Sequence, residues 1–142
     1  MYEKERSMLQ QIGRTGRAMY AAFEAEVGHA LPRWRILQAL REQGNATQKQ
    51  LAQSLSMDPG ALTRQMKALE VEGLVTRRSD PADNRLTAVT LTAAGVALIE
   101  AAQPLRRAFA KKALKGLPDE QVDIAMAVLK TLEERFRRMC GP

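Results

Sequence analysis

At 142 residues, with 45% hydrophobic and 4% aromatic content, one cysteine and one histidine, the chain is sized for one domain. It excludes an internal disulfide and a zinc cage of Cys and His within a single chain. No apolar run approaches the roughly 20 residues of a membrane span, and the opening MYEKERSMLQ lacks the apolar core of a secretory signal, so a cytoplasmic protein is expected. The net charge of +6 permits nucleic acid as a partner without requiring it; residues 33–91 carry nine basic and six acidic side chains, so contact must come from placement rather than bulk charge.

In chain order, Leu9, Ile12, Gly16, Met19 and Phe23 alternate steps of three and four, the seam of a helix over roughly residues 3–27 that packs against other helices. A second helix is predicted from Pro32 to about Gln43, with proline in its first turn and Gly44 as its C-terminal cap. Thr47 caps a short third helix, QKQLAQSL, and Asp58 with Pro59 starts a fourth, so the pair forms a helix-turn-helix.

The fourth helix carries the chemistry. Wound at about 3.6 residues per turn, it places Leu62, Met66 and Leu69 on one side and Gly60, Arg64 and Lys67 on the other, with Thr63 on the flank. One face is core; the other is small at its leading end and basic beyond. A recognition helix enters the major groove N-terminus first, so small residues there permit close approach, Arg64 reaches guanine edges or phosphate, and Thr63 reaches bases or phosphate. Taken singly, Arg64 and Lys67 also fit an ordinary solvated face.

After Gly73 the pattern becomes alternation: LVTRR, a turn from Ser79 to Leu86, then TAVTL rich in β-branched residues. A two-stranded hairpin after a recognition helix makes a winged helix-turn-helix. Arg85 near the tip suits the narrow, electronegative minor groove. The carboxylates of Asp80 or Asp83, with a pairing to Arg77, would hold the loop in shape beforehand and spare the arginine's ordering entropy.

The stretch GLVTRRSDPADNRLTAVTLTAAG, Gly73 to Gly95, resembles the wing of the MarR family of bacterial transcription regulators, with its Gly-Leu-Val-x-Arg start, Asp-Pro-x-Asp-x-Arg tip and Leu-Thr-x-x-Gly exit. LPRWRILQAL and TQKQLAQSLSMDPGALTRQMKALEVEGLV are similar to that family too, so the resemblance covers nearly the whole chain. It departs at Asn84, where members often carry a second arginine. The resemblance implies a mainly α fold with a small β-hairpin wing: an N-terminal dimerisation helix over residues 1–31, a winged helix-turn-helix lobe over 32–91 and C-terminal dimerisation helices over 92–142. It gives Arg77, Asp83 and Arg85 wing roles and Pro59, Gly60, Ala61, Thr63, Arg64 and Lys67 the major groove, with Thr47 and Gln48 as further DNA-contact candidates.

Thr92 caps a fifth helix to about Leu114, with Pro104 inside it as a kink or break, and a sixth follows Pro118 with Val122, Met126, Leu129, Leu132 and Phe136 at helical spacing. Helices one, five and six cannot all bury their apolar stripes on the small central lobe; a homodimer satisfies them. There is no nucleophile elbow, phosphate-binding glycine loop or carboxylate pair with an adjacent base, so neither an enzyme nor a cofactor is expected.

The reading is a sequence-specific regulator, expected to repress by binding a palindromic operator in double-stranded DNA and to be released by a small aromatic carboxylate. Arg17, Tyr20, His29, Arg33 and Trp34 supply the cationic and aromatic lining such an anion needs. The same five residues also fit core, seam and solvated positions. Two rival readings are an architectural protein that binds DNA without sequence preference and a redox sensor using Cys140, near which stand Arg137 and Arg138.

Overall fold

The computed structural model describes residues 1–83 and 85–141 and forms two compact units, one ending at Phe109 and the other starting at Ala110. The first unit opens with α1 (Tyr2–Val27), which stops where Gly28 turns left-handed at φ 86° and donates its N–H to the Glu24 carbonyl. Of the seam read along α1, Phe23 is buried, whereas Leu9 and Met19 are about half exposed in the single chain. Next come α2 (Leu31–Gln43), β1 (Ala46–Thr47), α3 (Gln48–Leu55) and α4 (Pro59–Val71). The hairpin β2 (Val75–Ser79) and β3 (Thr87–Leu91) leads into α5 (Ala93–Leu114).

The sheet has three strands where the sequence suggested two. β3 lies in the middle, antiparallel to β2 on one side and to β1 on the other, with Ala46 opposite Val89 and Thr47 opposite Ala88. Two residues are too few for alternation to announce a strand, and Thr47 already reads as a helix cap; it serves as both. Ile36, Leu37, Leu40, Leu51, Leu62, Met66, Leu69, Val75, Val89 and Ile99 form the fully buried centre. Phe23 joins α1 to this centre through Trp34, at 6.2 Å between ring centroids, and meets Phe109 edge-on at 5.4 Å.

The wing is tied to α5 by its last residues. Thr92 donates its backbone N–H to the Leu74 carbonyl at 3.1 Å and its hydroxyl to the Gly73 carbonyl at 2.6 Å, and it accepts from the Gly95 N–H at 3.1 Å. A Cβ on Gly95 would stand 2.3 Å from the Leu74 carbonyl oxygen, so only glycine allows this approach.

Pro104 does not break α5, which runs unbroken through it. Proline removes the hydrogen bond to the Glu100 carbonyl, but Glu100 and Pro104 are exposed, so water can take that carbonyl, while Ile99, Ala102 and Phe109 anchor the helix on its inner side. The second unit comprises the end of α5 and α6 (Asp119–Met139). No described side chain of α6 is buried, and Leu114, Leu117, Val122, Met126 and Leu129 line an apolar groove of about 360 Å³.

Candidate nucleic-acid interface

Capping chemistry sets α3 and α4. The Thr47 hydroxyl accepts from the Gln50 N–H at 3.0 Å while the Gln50 side chain accepts from the Thr47 N–H at 2.9 Å, a reciprocal pair that satisfies two otherwise orphan donors. Asp58 caps α4 by accepting from the Ala61 N–H at 3.0 Å, with Pro59 in the first turn. Between the helices Ser56 adopts φ 52°, a left-handed conformation that a non-glycine residue holds at a cost, and the Met57 N–H closes on the Ala52 carbonyl at 3.0 Å.

The two faces of α4 divide as the periodicity requires. Leu62, Met66 and Leu69 are buried, and Gly60, Arg64 and Lys67 are exposed. The Arg64 side chain leans back along the helix, so that a Cβ on Gly60 would lie 3.9 Å from its Nη1. Its charge therefore stands over the leading end of α4. Thr63 is engaged within the protein: it donates to the Pro59 carbonyl at 2.9 Å and accepts from Gln48 Nε2 at 3.4 Å. Gln48, Pro59 and Thr63 share a notch of about 340 Å³ between α3 and α4.

At the wing tip, Asp80 accepts from the N–H groups of Ala82 at 2.7 Å and Asp83 at 3.2 Å, shaping the turn. Asp83 accepts from Arg85 Nε and Nη2, both at 3.1 Å, leaving the arginine side chain 90% exposed. Those side-chain bonds, with the Arg85 N–H, hold the Asp83 carboxyl below its usual range. Asn84 lies outside the described residues.

The expected pairing of Arg77 with the tip carboxylates is not formed. Arg77 sits at the base of the wing and bonds Glu70 of α4 at 3.1 Å and Gln48 of α3 at 3.3 Å, and its hydrogen bond holds the Glu70 carboxyl low. Opposite Val89 in the register, it faces inward, whereas Arg78 on the other face of β2 is exposed. Glu70 was not singled out from the sequence; its partner lies seven residues on, in another element.

The five residues expected to line an effector site do not come together in the single chain. Arg33 is turned to Glu72 at the end of α4, at 2.5 Å, and His29 lies beside that pair. Burial pushes the His29 pKa down, Arg33 adds to this and Glu72 opposes it. Arg17 and Tyr20 are exposed on α1, with the Arg17 guanidinium folded over Gly13. Trp34 is 3% exposed and belongs to the core, yet its edge opens on a cavity of about 250 Å³ also lined by Phe23, Arg35, Gln38, Glu42 and Arg106. Arg35 and Arg33 are two positions apart on a helix, which sends them to different sides. Arg35, not singled out from the sequence, and Arg106 are thus the cations of this cavity, and Arg35 Nη2 also donates to the Leu55 carbonyl at 3.0 Å.

Among the described residues, no group of three His, Cys, Asp or Glu could hold a metal ion, and no helix is long and apolar enough to cross a membrane.

A MarR family model matches residues 30–87. The chain is 34% identical over 101 residues to the uncharacterized HTH-type transcriptional regulator YxaD of Bacillus subtilis (strain 168), covering 71% of each protein. Its fold is similar to that of a mutant MarR from E. coli complexed with operator DNA, with a TM-score of 0.86 at 24% identity over 93% of this chain and 97% of that one. It is similar also to Bordetella bronchiseptica BpsR, described in a mechanism for regulation of DNA binding by 6-hydroxynicotinic acid, with a TM-score of 0.81 at 22% identity over 89% and 98%.

Proposed function

Since the chain belongs to the MarR family of DNA-binding transcriptional regulators, we propose that it is a homodimeric repressor reading a palindromic operator and released by a small aromatic anion. The observation that carries the DNA-reading part is the exposed basic face of α4, with Arg64 over its leading end, beside a wing whose Arg85 is 90% exposed and held by Asp83. In this reading Pro59, Gly60, Ala61, Thr63, Arg64 and Lys67 enter the major groove, Thr47 and Gln48 flank them, and Arg85 enters the minor groove.

Dimerisation rests on apolar surface that one chain leaves open. Leu9 and Met19 on α1 and Ile124, Met126, Leu129 and Phe136 on α6 are all more than a third exposed, which a second copy would cover. The helices at both ends then serve as the dimerisation region and residues 32–91 as the DNA-binding lobe.

The effector reading moves from Arg17, His29 and Arg33 to the cavity of Trp34, Arg35 and Arg106. There the guanidiniums of Arg35 and Arg106 outnumber the Glu42 carboxylate and stand with the rings of Phe23 and Trp34, a lining that suits a planar carboxylate. The regulation of BpsR by an aromatic acid favours the same class. A redox role for Cys140 has less support, because Arg137 and Arg138 are taken up by Glu133 and Glu134.

The test is selection of duplexes from a random library by the full chain, with light scattering alongside. A repressor of this design enriches a palindrome with half-sites about 10 base pairs apart and binds it as a dimer. A chain that enriches nothing, and whose affinity falls equally with salt on every duplex, is an architectural protein instead.

A further inference from the structure

We infer that Arg77 is a positioning residue for DNA reading, bolting the base of the wing to both helices of the helix-turn-helix, and not a phosphate contact. The inference rests on the proposed reading of α4 and the wing as the DNA-contacting elements, and it deepens that reading by dividing the work of the wing arginines.

The geometry is a continuous chain of bonds from the wing to the first turn of α4. Arg77 on β2 donates through Nη2 to Glu70 Oε1 at 3.1 Å and through Nη1 to Gln48 Oε1 at 3.3 Å. Gln48 then donates through Nε2 to Thr63 Oγ1 at 3.4 Å, and Thr63 donates to the Pro59 carbonyl at 2.9 Å. One planar guanidinium thus joins β2 to α3 and to the C-terminal end of α4, and Gln48 and Thr63 carry the chain on to the leading end of α4. A guanidinium can do this because its two terminal nitrogens diverge at a fixed angle; an ammonium is a point charge and cannot hold both acceptors with the same geometry.

Three further observations separate this role from phosphate binding. The Arg77 side chain is 21% exposed, against 90% for Arg85. Both terminal nitrogens of Arg77 are already given to Glu70 and Gln48 inside the protein, so a phosphate would have to displace those bonds. Arg78, the next residue on the strand, faces the other side of the sheet, exposed and without that carboxylate partner.

The consequence is geometric. Arg64 and Arg85 sit on different elements, and base discrimination requires both to arrive in register on one duplex. Glu70 and Gln48 are the acceptors through which Arg77 fixes that register.

The experiment uses the full chain, a duplex enriched by the wild type from a random library, and a scrambled duplex of equal length. Glu70→Ala, Arg77→Lys and, as a reference for a change of one unit of charge beside the same strand, Arg78→Gln are compared across a salt series. Positioning predicts that Glu70→Ala and Arg77→Lys each weaken binding to the enriched duplex about tenfold, the scale of lost base discrimination. Affinity for the scrambled duplex then changes no more than Arg78→Gln changes it, and the salt slope stays at the wild-type value. The inference is overturned if Glu70→Ala tightens binding to both duplexes while Arg77→Lys keeps wild-type affinity, the pattern of a phosphate contact freed from its counter-charge. It is also overturned if both variants match wild type on both duplexes. Should a single variant fail to fold, Glu70→Gln decides: its amide oxygen still accepts from Arg77, so positioning predicts an enriched-duplex preference within about twofold of wild type, whereas a phosphate contact freed from its counter-charge predicts tighter binding to both duplexes. A wild type that enriches no duplex would remove the DNA-reading proposal itself, whereas an enriched duplex bound alike by all variants removes only the role of Arg77.

Discussion

Asp83 accepts three hydrogen bonds from Arg85, one from its backbone N–H at 3.0 Å and two from its guanidinium at 3.1 Å, on a loop whose backbone Asp80 and Leu86 already shape. The arrangement orients the arginine before DNA arrives, so its value lies in binding rather than in folding. Asp83→Asn should therefore weaken operator binding severalfold while leaving the melting temperature within about a degree, because exposed ion pairs contribute little stability. Arg85→Ala should weaken binding to all sequences with a modest loss of A·T preference, and Arg64→Ala should relax discrimination at particular base pairs by about 1 to 3 kcal/mol. Equal loss of specific and non-specific affinity in both arginine variants would refute this division.

His29 sets a pH dependence at the junction of α1 and α2. Its folded pKa lies below the ordinary 6.5, mainly through burial and the neighbouring Arg33. Between those two values the unfolded chain binds more protons, so stability is fully present above about 6.5 and falls as pH drops through the folded pKa. Thermal unfolding from about pH 8 to 5 should show a falling melting temperature that His29→Gln flattens. Glu70 and Asp83, both held below their ordinary values of 4.5 and 3.8, act only at lower pH and leave this window to His29. An unchanged slope in His29→Gln would contradict the assignment.

What was legible in the sequence was chemistry that acts within one element. The capping residues Thr47 and Asp58 stand immediately before α3 and α4, and the period of α4 separates Leu62, Met66 and Leu69 from Arg64 and Lys67, because caps and periodicity are local. Pairings between elements were not legible. That Arg77 meets Glu70 and Gln48 rather than Asp80 or Asp83 depends on how β2 lies against α3 and α4, and side-chain type alone offers every carboxylate equally. That Arg35 rather than Arg33 lines the cavity beside Trp34 was not legible for the same reason, since which side of α2 faces the cavity is fixed by packing around Trp34.

Gly95 makes a sharper stability prediction than any charged residue. Alanine would place a Cβ 2.3 Å from the Leu74 carbonyl oxygen, a backbone atom that cannot swing aside, and 3.1 Å from Leu91 Cδ2. α5 or the start of the wing must then move, disturbing the two bonds from Thr92 to Gly73 and Leu74. The expected cost is about 2 kcal/mol or more by denaturant unfolding, at the upper range of overpacking. Ala94→Gly, a change of the same size at the exposed neighbour on α5, is the control and should cost about 1 kcal/mol or less. Similar losses at both positions would show that the Gly95 contact is not the cause.

The cavity beside Trp34 leads to the last prediction. Arg35 lines it and also donates to the Leu55 carbonyl at 3.0 Å, at the C-terminal end of α3. An aromatic carboxylate pairing with Arg35 would compete for that donor and so act on the helix that precedes the recognition helix. Binding can release DNA only to the extent that the ligand prefers the arrangement in which α3 and α4 no longer fit the operator. Titration with benzoate-like and heteroaromatic acids should therefore raise the melting temperature of the free protein and dissociate the operator complex. Arg35→Ala and Arg106→Ala should each shift the half-release concentration upward by about tenfold, the loss of one charge-assisted pair. Arg17→Ala and Arg33→Ala, outside the cavity, should leave it within about twofold. A released complex whose half-point responds to Arg33→Ala but not to Arg35→Ala would place the ligand on the His29 side of α2 instead.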